Sequence, residues 1–126
     1  MHKNKIITAK FLRDNPNSVF VFGDNMIHQG HGGAAMLRDC PNAYGFITKK
    51  FPTNEDSAFY ETLEYLPVYA TEVEKLKTHI RSHPNKTFLI SKLGAGLANK
   101  YNIFEEIIEP TLKTELKNFA NVSFLW

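Results

Sequence analysis

The sequence is poor in cysteine and in long apolar runs. Cys40 is the only cysteine among 126 residues, so an intramolecular disulfide is excluded and a reducing, cytoplasmic setting is the natural expectation. No window approaches the roughly 18 apolar residues of a membrane-spanning helix, and Lys3 and Lys5 are not followed by the apolar run of a signal peptide. The sequence therefore predicts a cytoplasmic protein with no membrane partner.

An excess of charge and a metal-ligand pattern are also missing. The formal net charge is only +2, with lysines and arginines spread along the chain. This gives no strong nucleic-acid signature and only a mild bias towards anionic ligands. His28 and His31 have no cysteine near them, and the chain contains neither a P-loop nor a G-x-S-x-G nucleophile motif. We expect no metal and no resident cofactor.

What the sequence does contain is enough apolar material for one packed domain, predicted over residues 1–126 because no linker or repeat divides the chain. Short apolar runs predict strands at Lys5–Thr8, Val19–Phe22, Tyr44–Thr48, Thr87–Ser91 and Val122–Trp126. Helices are predicted between them at Ala34–Asp39, Val68–Ser82 and Ile103–Phe119. The alternation predicts an α/β fold, a compact three-layer domain with a mixed, largely parallel sheet flanked by helices.

Prolines and capping residues mark the expected helix ends. Pro67 directly precedes the second predicted helix and suits a helix start. Asn102 and Glu105 occupy capping-box-like positions for the third helix, and Pro110 is expected to kink or divide it.

A glycine-rich loop follows the predicted strand Val19–Phe22. Asp24 and Asn25 stand at the strand end, where a carboxylate and an amide are suited to binding an adenine edge or ribose hydroxyls. The glycines that follow allow positive φ angles and close approach of backbone to a ligand; they are Gly30, Gly32 and Gly33. Ala34 then begins a predicted helix, whose free N–H groups would form a phosphate site.

A second small-residue loop follows the predicted strand Thr87–Ser91. It contains Gly94-Ala95-Gly96-Leu97, whose backbone N–H groups are suited to cradling a diphosphate. The spacing is not that of a dinucleotide-binding fingerprint. Tyr101 is placed either to stack on a base or ribose, or to fill the core.

Lys49 lies in Ile47-Thr48-Lys49-Lys50, at the end of the strand that begins near Tyr44. A partly desolvated lysine at this sheet edge would have a lowered pKa and would act as a nucleophile towards a sugar carbonyl carbon. The alternative is an ordinary surface lysine that pairs with a carboxylate.

Together, these segments resemble the macro-domain superfamily, whose members bind ADP-ribose. One likeness is to small phage-associated macro-like proteins, and it covers most of the chain from Val19 to about Ile107. It rests on Phe22-Gly23-Asp24-Asn25, Gly32-Gly33-Ala34-Ala35, Leu66-Pro67 and Gly94-Ala95-Gly96-Leu97-Ala98, with Tyr101 nearby. The other is to terminal ADP-ribose protein glycohydrolase, whose catalytic lysine lies in an I-T-K-K segment.

The resemblance implies binding of ADP-ribose or an ADP-ribosylated macromolecule, with hydrolysis as a further expectation. It places Lys49 in the catalytic position. Ala98 stands where the glycohydrolase has its catalytic aspartate, so Asp24 is the candidate to replace it. The implied ligand-binding residues are Asn25, Gly30, Gly32, Gly33, Ala34, Gly94, Ala95, Gly96, Leu97 and Tyr101.

Two other hypotheses stay open. The first is a non-enzymatic interaction module, such as a phage-encoded inhibitor of a host protein, acting through Gln29–His31 or through the polar and aromatic segment Thr53–Tyr65. The second is binding of another NAD-derived or cyclic nucleotide signal. The sequence does not decide between turnover and binding alone.

Overall fold

The computed structural model describes residues 6–126. Short 3₁₀ turns occur at Gly33–Leu37 and Asp56–Ala58, and a π-helical segment at Phe104–Ile108. The principal elements are, in order, α1 (Ala9–Asp14), β1 (Ser18–Asn25), β2 (Ala43–Lys49), α2 (Thr62–Ser82), β3 (Thr87–Ile90), α3 (Glu109–Glu115) and β4 (Val122–Phe124). Within these residues, no helix is both long enough and apolar enough to cross a lipid bilayer.

The strands form one sheet in the order β2-β1-β3-β4, and every neighbouring pair is parallel. The α/β fold is therefore confirmed, with a four-stranded sheet that is parallel throughout. From β1 the chain moves to β2 on one side, and it later returns to place β3 on the other side. The carboxyl ends of β1 and β3 thus flank a topological switch point, where open parallel sheets form ligand crevices.

Side chains of β1 alternate between two apolar layers, as the two-residue period of a strand requires. Val19 and Val21 belong to a larger core with α2, the π-helical segment and α3. Phe20 and Phe22 belong to a smaller core with α1 and the first 3₁₀ turn. The sheet is the middle layer of three.

The predicted strand at Lys5–Thr8 is wrong where it can be examined. Residues 6–8 lie in no strand, and Lys5 is outside the described residues. Thr8 instead caps α1, because its hydroxyl accepts a hydrogen bond from the Phe11 backbone N–H at 3.0 Å. A threonine before a helix satisfies an otherwise unpaired N–H group, and this local gain outweighs its strand preference.

The helix predicted from Val68 begins earlier, at Thr62. Glu61 and Glu64 form a reciprocal capping box there, so the first turn is stabilised without help from Pro67. Pro67 lies inside α2 rather than before it. Proline suits a helix start, but the Glu61 and Glu64 capping box pairs the first backbone groups at an earlier position, and the helix begins there.

Asn99 caps the third helical stretch, in place of the predicted Asn102 and Glu105 pair. The Asn99 Oδ1 accepts a hydrogen bond from the Phe104 N–H at 3.0 Å, while Asn102 has a φ of 62° and so takes the left-handed turn before the helix. The helix changes from π to α form next to Pro110, in line with the expected division.

Two glycines of the second loop give a matched pair for testing this packing. Gly94 has a φ of +79°, and a Cβ there would lie 2.7 Å from Ile108 Cδ1, whereas a Cβ on Gly96 would meet nothing within 4 Å. We expect Gly94→Ala to lower the free energy of unfolding by about 1–3 kcal/mol. Gly96→Ala should stay within about 0.5 kcal/mol of the parent. Urea unfolding of both variants measures this, and equal stabilities would contradict the packing described.

Candidate functional site

A cleft of about 480 Å³ opens at the carboxyl edge of the sheet, at the switch point between β1 and β3. This volume lies within the roughly 300–1,000 Å³ range of small-molecule sites. Three segments line it: the first loop (residues 23–35), the end of β2 with the segment that follows it, and the second loop (residues 91–98). The two glycine-rich loops, separate in sequence, therefore form opposite walls of one cavity.

The loops approach each other through small residues. A Cβ on Gly32 or Gly33 would lie 3.5 or 3.4 Å from the Leu97 Cδ1, so Leu97 of the second loop packs directly against the glycines of the first. Gly30 approaches Pro52 in the same way, at 3.0 Å. Gly30 and Gly33 also have positive φ angles, of 92° and 58°, which residues with a Cβ rarely adopt, and this conformation favours glycine at both positions.

Several backbone N–H groups line both walls of the cleft. Among residues 6–126, these N–H groups donate no hydrogen bond to another group of the chain. They belong to Gly32, Gly33 and Ala34 in the first loop and to Gly96, Leu97 and Ala98 in the second. Unpaired backbone donors around a concave site form the type of concavity that binds anions.

The first loop is tied down by a buried ion pair. Asp24 is 4% exposed, and its Oδ1 lies 2.7 Å from Arg38 Nη2. Arg38 also donates from Nε to the Gly30 carbonyl at 2.8 Å and from Nη2 to the Gln29 carbonyl at 3.1 Å. One guanidinium thus joins the end of β1 to the glycine turn, a geometry that suits its fixed fork of donors.

Both oxygens of the Asp24 carboxylate are occupied. His28 Nδ1 lies 2.7 Å from Oδ2, and the Asn25 N–H donates to Oδ1 at 2.7 Å. Burial alone would raise the pKa of Asp24, but the contacts from Arg38, His28 and the Asn25 N–H outweigh it and hold the pKa below its ordinary value. Asp24 thus lines the cleft with both oxygens engaged by the loop, and its catalytic role stays a prediction.

The Asn25 side chain forms hydrogen bonds within the first loop. Its amide Nδ2 donates to the Gln29 carbonyl at 2.6 Å, and its Oδ1 accepts from the Ile27 N–H at 3.2 Å. Such side chain to backbone bonds are the usual way an asparagine fixes a turn. Asn25 lies at the cleft wall, with its amide engaged by the turn.

Lys49 is a buried lysine at the cleft, and its pKa is lowered. It is 8% exposed, it lines the cleft, and its Nζ lies 4.7 Å from the centre of the Phe59 ring. Within the part of the chain described, no carboxylate pairs with it, and burial lowers its pKa below the ordinary lysine value. A buried ammonium without a counter-ion is costly, so an anion in the cleft would be bound favourably beside it.

The neighbouring Lys50 shows what the ordinary alternative looks like. Its Nζ lies 2.7 Å from Glu64 Oε2 on the outside of the molecule, and this contact raises the pKa of Lys50. β2 ends at Lys49 and the chain bends at Lys50, so the first lysine lines the cleft while the second meets Glu64 at the surface.

The structure brings together ten of the twelve site residues predicted from the sequence. Those lining the cleft are Asp24, Asn25, Gly30, Gly32, Gly33, Ala34, Lys49, Gly94, Gly96 and Leu97. Ala95 packs against the larger core instead. Tyr101 is half-buried beside Lys100, whose ammonium pairs with Asp56, and it does not line the cleft. Ala98 also lines the cleft.

The helix predicted after the first loop differs in type and length from the one observed. The helix predicted at Ala34–Asp39 is a single 3₁₀ turn over Gly33–Leu37, because the chain turns away again at Cys40-Pro41 towards β2. A segment of this length has only a small helix dipole. The positive potential at the cleft therefore comes from the unpaired N–H groups and not from a helix end. Sequence reasoning also missed Arg38, since no local pattern links it to Asp24.

Comparison with known proteins gives one result. A family model matches residues 2–100, which include both cleft loops and Lys49. The chain belongs to DUF7831, a family of unknown function. No curated protein and no solved structure matches this DUF7831 chain. The macro-domain resemblance therefore stays a prediction for this DUF7831 protein.

Replacement of Arg38 tests how the cleft wall is held. We expect Arg38→Met to lower the free energy of unfolding at neutral pH by about 2–4 kcal/mol, since Asp24 is left buried without its partner. Lys10→Met, which breaks the exposed pair with Asp14, is the control and should cost less than about 1 kcal/mol.

The same variant has a characteristic pH dependence. In the parent, the lowered pKa of Asp24 contributes stability that is present above about pH 4 and is lost as the pH falls through the folded-state pKa. Without Arg38, burial should raise that pKa, so the cost of Arg38→Met should shrink on acidification. Chemical unfolding across this range measures it, and a constant difference would argue against the pair.

Proposed function

We propose that this protein binds ADP-ribose or a closely related nucleotide diphosphate in the cleft between the two loops. The observation that carries the proposal is the pair of opposed walls with unpaired backbone N–H groups, beside a buried lysine without a counter-ion. A diphosphate is compact, doubly negative and rich in acceptors, so it matches both features.

Charge inside the cleft supports an anionic ligand. Among the cleft-lining residues described, Asp24 is the only carboxylate, and Arg38 and His28 already engage it. Two lysines, Lys49 and Lys92, also line the cleft, and neither pairs with a carboxylate of the described residues. A bound anion would lie near both without meeting a free negative charge.

The macro-domain likeness narrows the class of anion. The motifs that carry it, Phe22–Asn25, Gly32–Ala35 and Gly94–Ala98, supply both walls of the cleft, and the I-T-K-K segment supplies Lys49. These segments are far apart in sequence, and the likeness does not depend on their proximity. Their convergence on one cavity supports ADP-ribose over an unrelated phosphate compound.

Hydrolysis is the second part of the proposal. The neutral amine of Lys49 would attack the anomeric carbon of the distal ribose, while the bond to the acceptor breaks and the acceptor leaves with the bonding electrons. The amine proton passes to the acceptor or to solvent. Water then cleaves the lysine adduct, releases ADP-ribose and restores the amine.

The cleft offers fewer groups for the second step, in which water cleaves the lysine adduct. Ala98 places a methyl group where the glycohydrolase has its aspartate, and Asp24 is held by Arg38 and His28. Because no free carboxylate among the described lining residues is ready to activate water, we expect turnover to be slow compared with binding.

Titration with ADP-ribose tests binding. We expect heat by calorimetry and a change in fluorescence, because Trp126, the only tryptophan, donates to the Ser91 carbonyl at the base of the second loop at 3.1 Å. Gly96→Glu should weaken binding at least about tenfold by adding a negative charge to the wall. Asn118→Glu, exposed in the turn before β4, is the control of equal charge. No binding to the parent at millimolar ligand would end the proposal.

Replacement of Lys49 tests hydrolysis. Lys49→Ala should abolish release of ADP-ribose from a substrate modified on acidic side chains, while ADP-ribose still binds through the backbone donors. Lys50→Ala is the matched control and should keep the parent rate, because Lys50 pairs with Glu64 outside the cleft. Product release is followed by chromatography, and turnover that survives in Lys49→Ala would exclude this lysine from the mechanism.

A further inference from the structure

Two histidine–aspartate pairs involve the first loop, and they differ in their relation to the cleft. His28 Nδ1 lies 2.7 Å from Asp24 Oδ2, but this carboxylate also binds Arg38, and His28 is not among the residues that line the cleft. His31 Nε2 lies 3.0 Å from Asp39 Oδ2, and His31 does line the cleft. Among the residues described, the second pair is therefore the one that presents an imidazole to a bound ligand.

Two consecutive side chains, those of Arg38 and Asp39, hold His31 in place. Arg38 donates to the carbonyls of Gln29 and Gly30, at 3.1 and 2.8 Å, and these are the two residues that precede the histidine. The next residue, Asp39, contacts the imidazole itself. The backbone before the ring and the ring are thus both held by contacts, as a positioned catalytic group requires.

The contact with Asp39 leaves one ring nitrogen of His31 available. A carboxylate only accepts hydrogen bonds, so in the neutral ring Nε2 carries the proton and Nδ1 keeps its lone pair. Within residues 6–126, no protein group bonds to Nδ1. The side chain is 56% exposed, so water reaches it. A histidine oriented by a carboxylate at one nitrogen acts as a general base through the other.

His31 and Lys49 flank the same part of the cleft. Asn25, the last residue of β1, is the sheet partner of Lys49, and the chain leaves the sheet there. The loop then returns to the segment after Lys49, because a Cβ on Gly30 would lie 3.0 Å from Pro52 Cβ. His31 directly follows Gly30, and both His31 and Lys49 line the cleft.

The other titratable groups at the cleft are not suited to activating water. Among the described lining residues these are Asp24, Lys49 and Lys92. Asp24 has both oxygens engaged, and Lys49 is bonded to the ribose in the adduct. Lys92 is an exposed ammonium, which has no lone pair to accept a proton. His31 is left as the group that can take a proton from water.

We infer that His31 is the general base of the second hydrolytic step and that Asp39 positions it. The inference rests on the proposed function, since Lys49 must first form its adduct with the distal ribose. His31 Nδ1 takes a proton from water as the water oxygen bonds to the anomeric carbon, and the bond from that carbon to Lys49 Nζ breaks. The electron pair of that bond returns to Nζ, and the proton passes from His31 to the restored amine.

Single-turnover reactions with a peptide ADP-ribosylated on a glutamate separate the two steps. Release of the unmodified peptide reports attack by Lys49, and release of ADP-ribose reports hydrolysis of the adduct. We expect His31→Gln to slow ADP-ribose release at least about 100-fold and to slow peptide release far less. The Lys49 adduct should therefore accumulate. Borohydride reduction of its ring-opened imine form, followed by mass spectrometry, measures it.

Further variants separate catalysis from structure. Asp39→Asn favours the wrong tautomer of the ring, so it should also slow ADP-ribose release and accumulate the adduct. Added imidazole should restore part of the ADP-ribose release in His31→Ala, because the base is replaced from solvent, and should restore none in Lys49→Ala. His83→Gln, at the end of α2 and away from the cleft, is the matched control and should keep the parent rates.

Each departure from this pattern overturns a defined claim. ADP-ribose release at the parent rate in His31→Gln, or the absence of accumulated adduct, would overturn the inference and leave the proposed function intact. Equal slowing of both products, with weaker binding of free ADP-ribose by calorimetry, would exclude His31 as the base and make it a ligand-binding residue. A parent protein that binds ADP-ribose but releases none would remove hydrolysis together with its base. A parent that binds none would remove the whole proposed function.

Discussion

The structure of the cleft depends on the buried ion pair between Asp24 and Arg38. A carboxylate at the end of a central strand is costly to bury unless it is paired, and Arg38 pairs it while also binding two carbonyls of the glycine turn. One guanidinium thereby ties the glycine turn to the end of β1. Gly45 fits the same arrangement, because a Cβ there would clash with Asp24 Oδ2.

In this arrangement, the residues that hold the first loop in place differ from the groups that are available to a ligand. Asp24 and Asn25 line the cleft wall, but their polar groups form hydrogen bonds within the loop. The groups available to a ligand are therefore the backbone donors and the Lys49 amine. A site of this kind binds through geometry and positive potential rather than through many side chains.

Prediction from the sequence was most successful where the signal is local. The strands that begin near Val19, Tyr44 and Thr87 are short apolar runs whose residues fit only a buried sheet, and glycines after two of them marked the cleft loops. It failed where two local preferences compete. Thr8 is a good strand residue and a better helix cap, and Pro67 suits a helix start although the Glu61 and Glu64 box begins α2 earlier.

By itself the sequence determined that two small-residue loops follow parallel strands, since turn and strand preferences act over a few neighbouring residues. Only the tertiary structure decided which charges are free. Lys49 and Lys50 have nearly the same sequence surroundings, yet one is buried beside Phe59 and the other meets Glu64 from α2. Such partners come from distant segments, so the pairing of Arg38 and the isolation of Lys49 arise only when the chain packs.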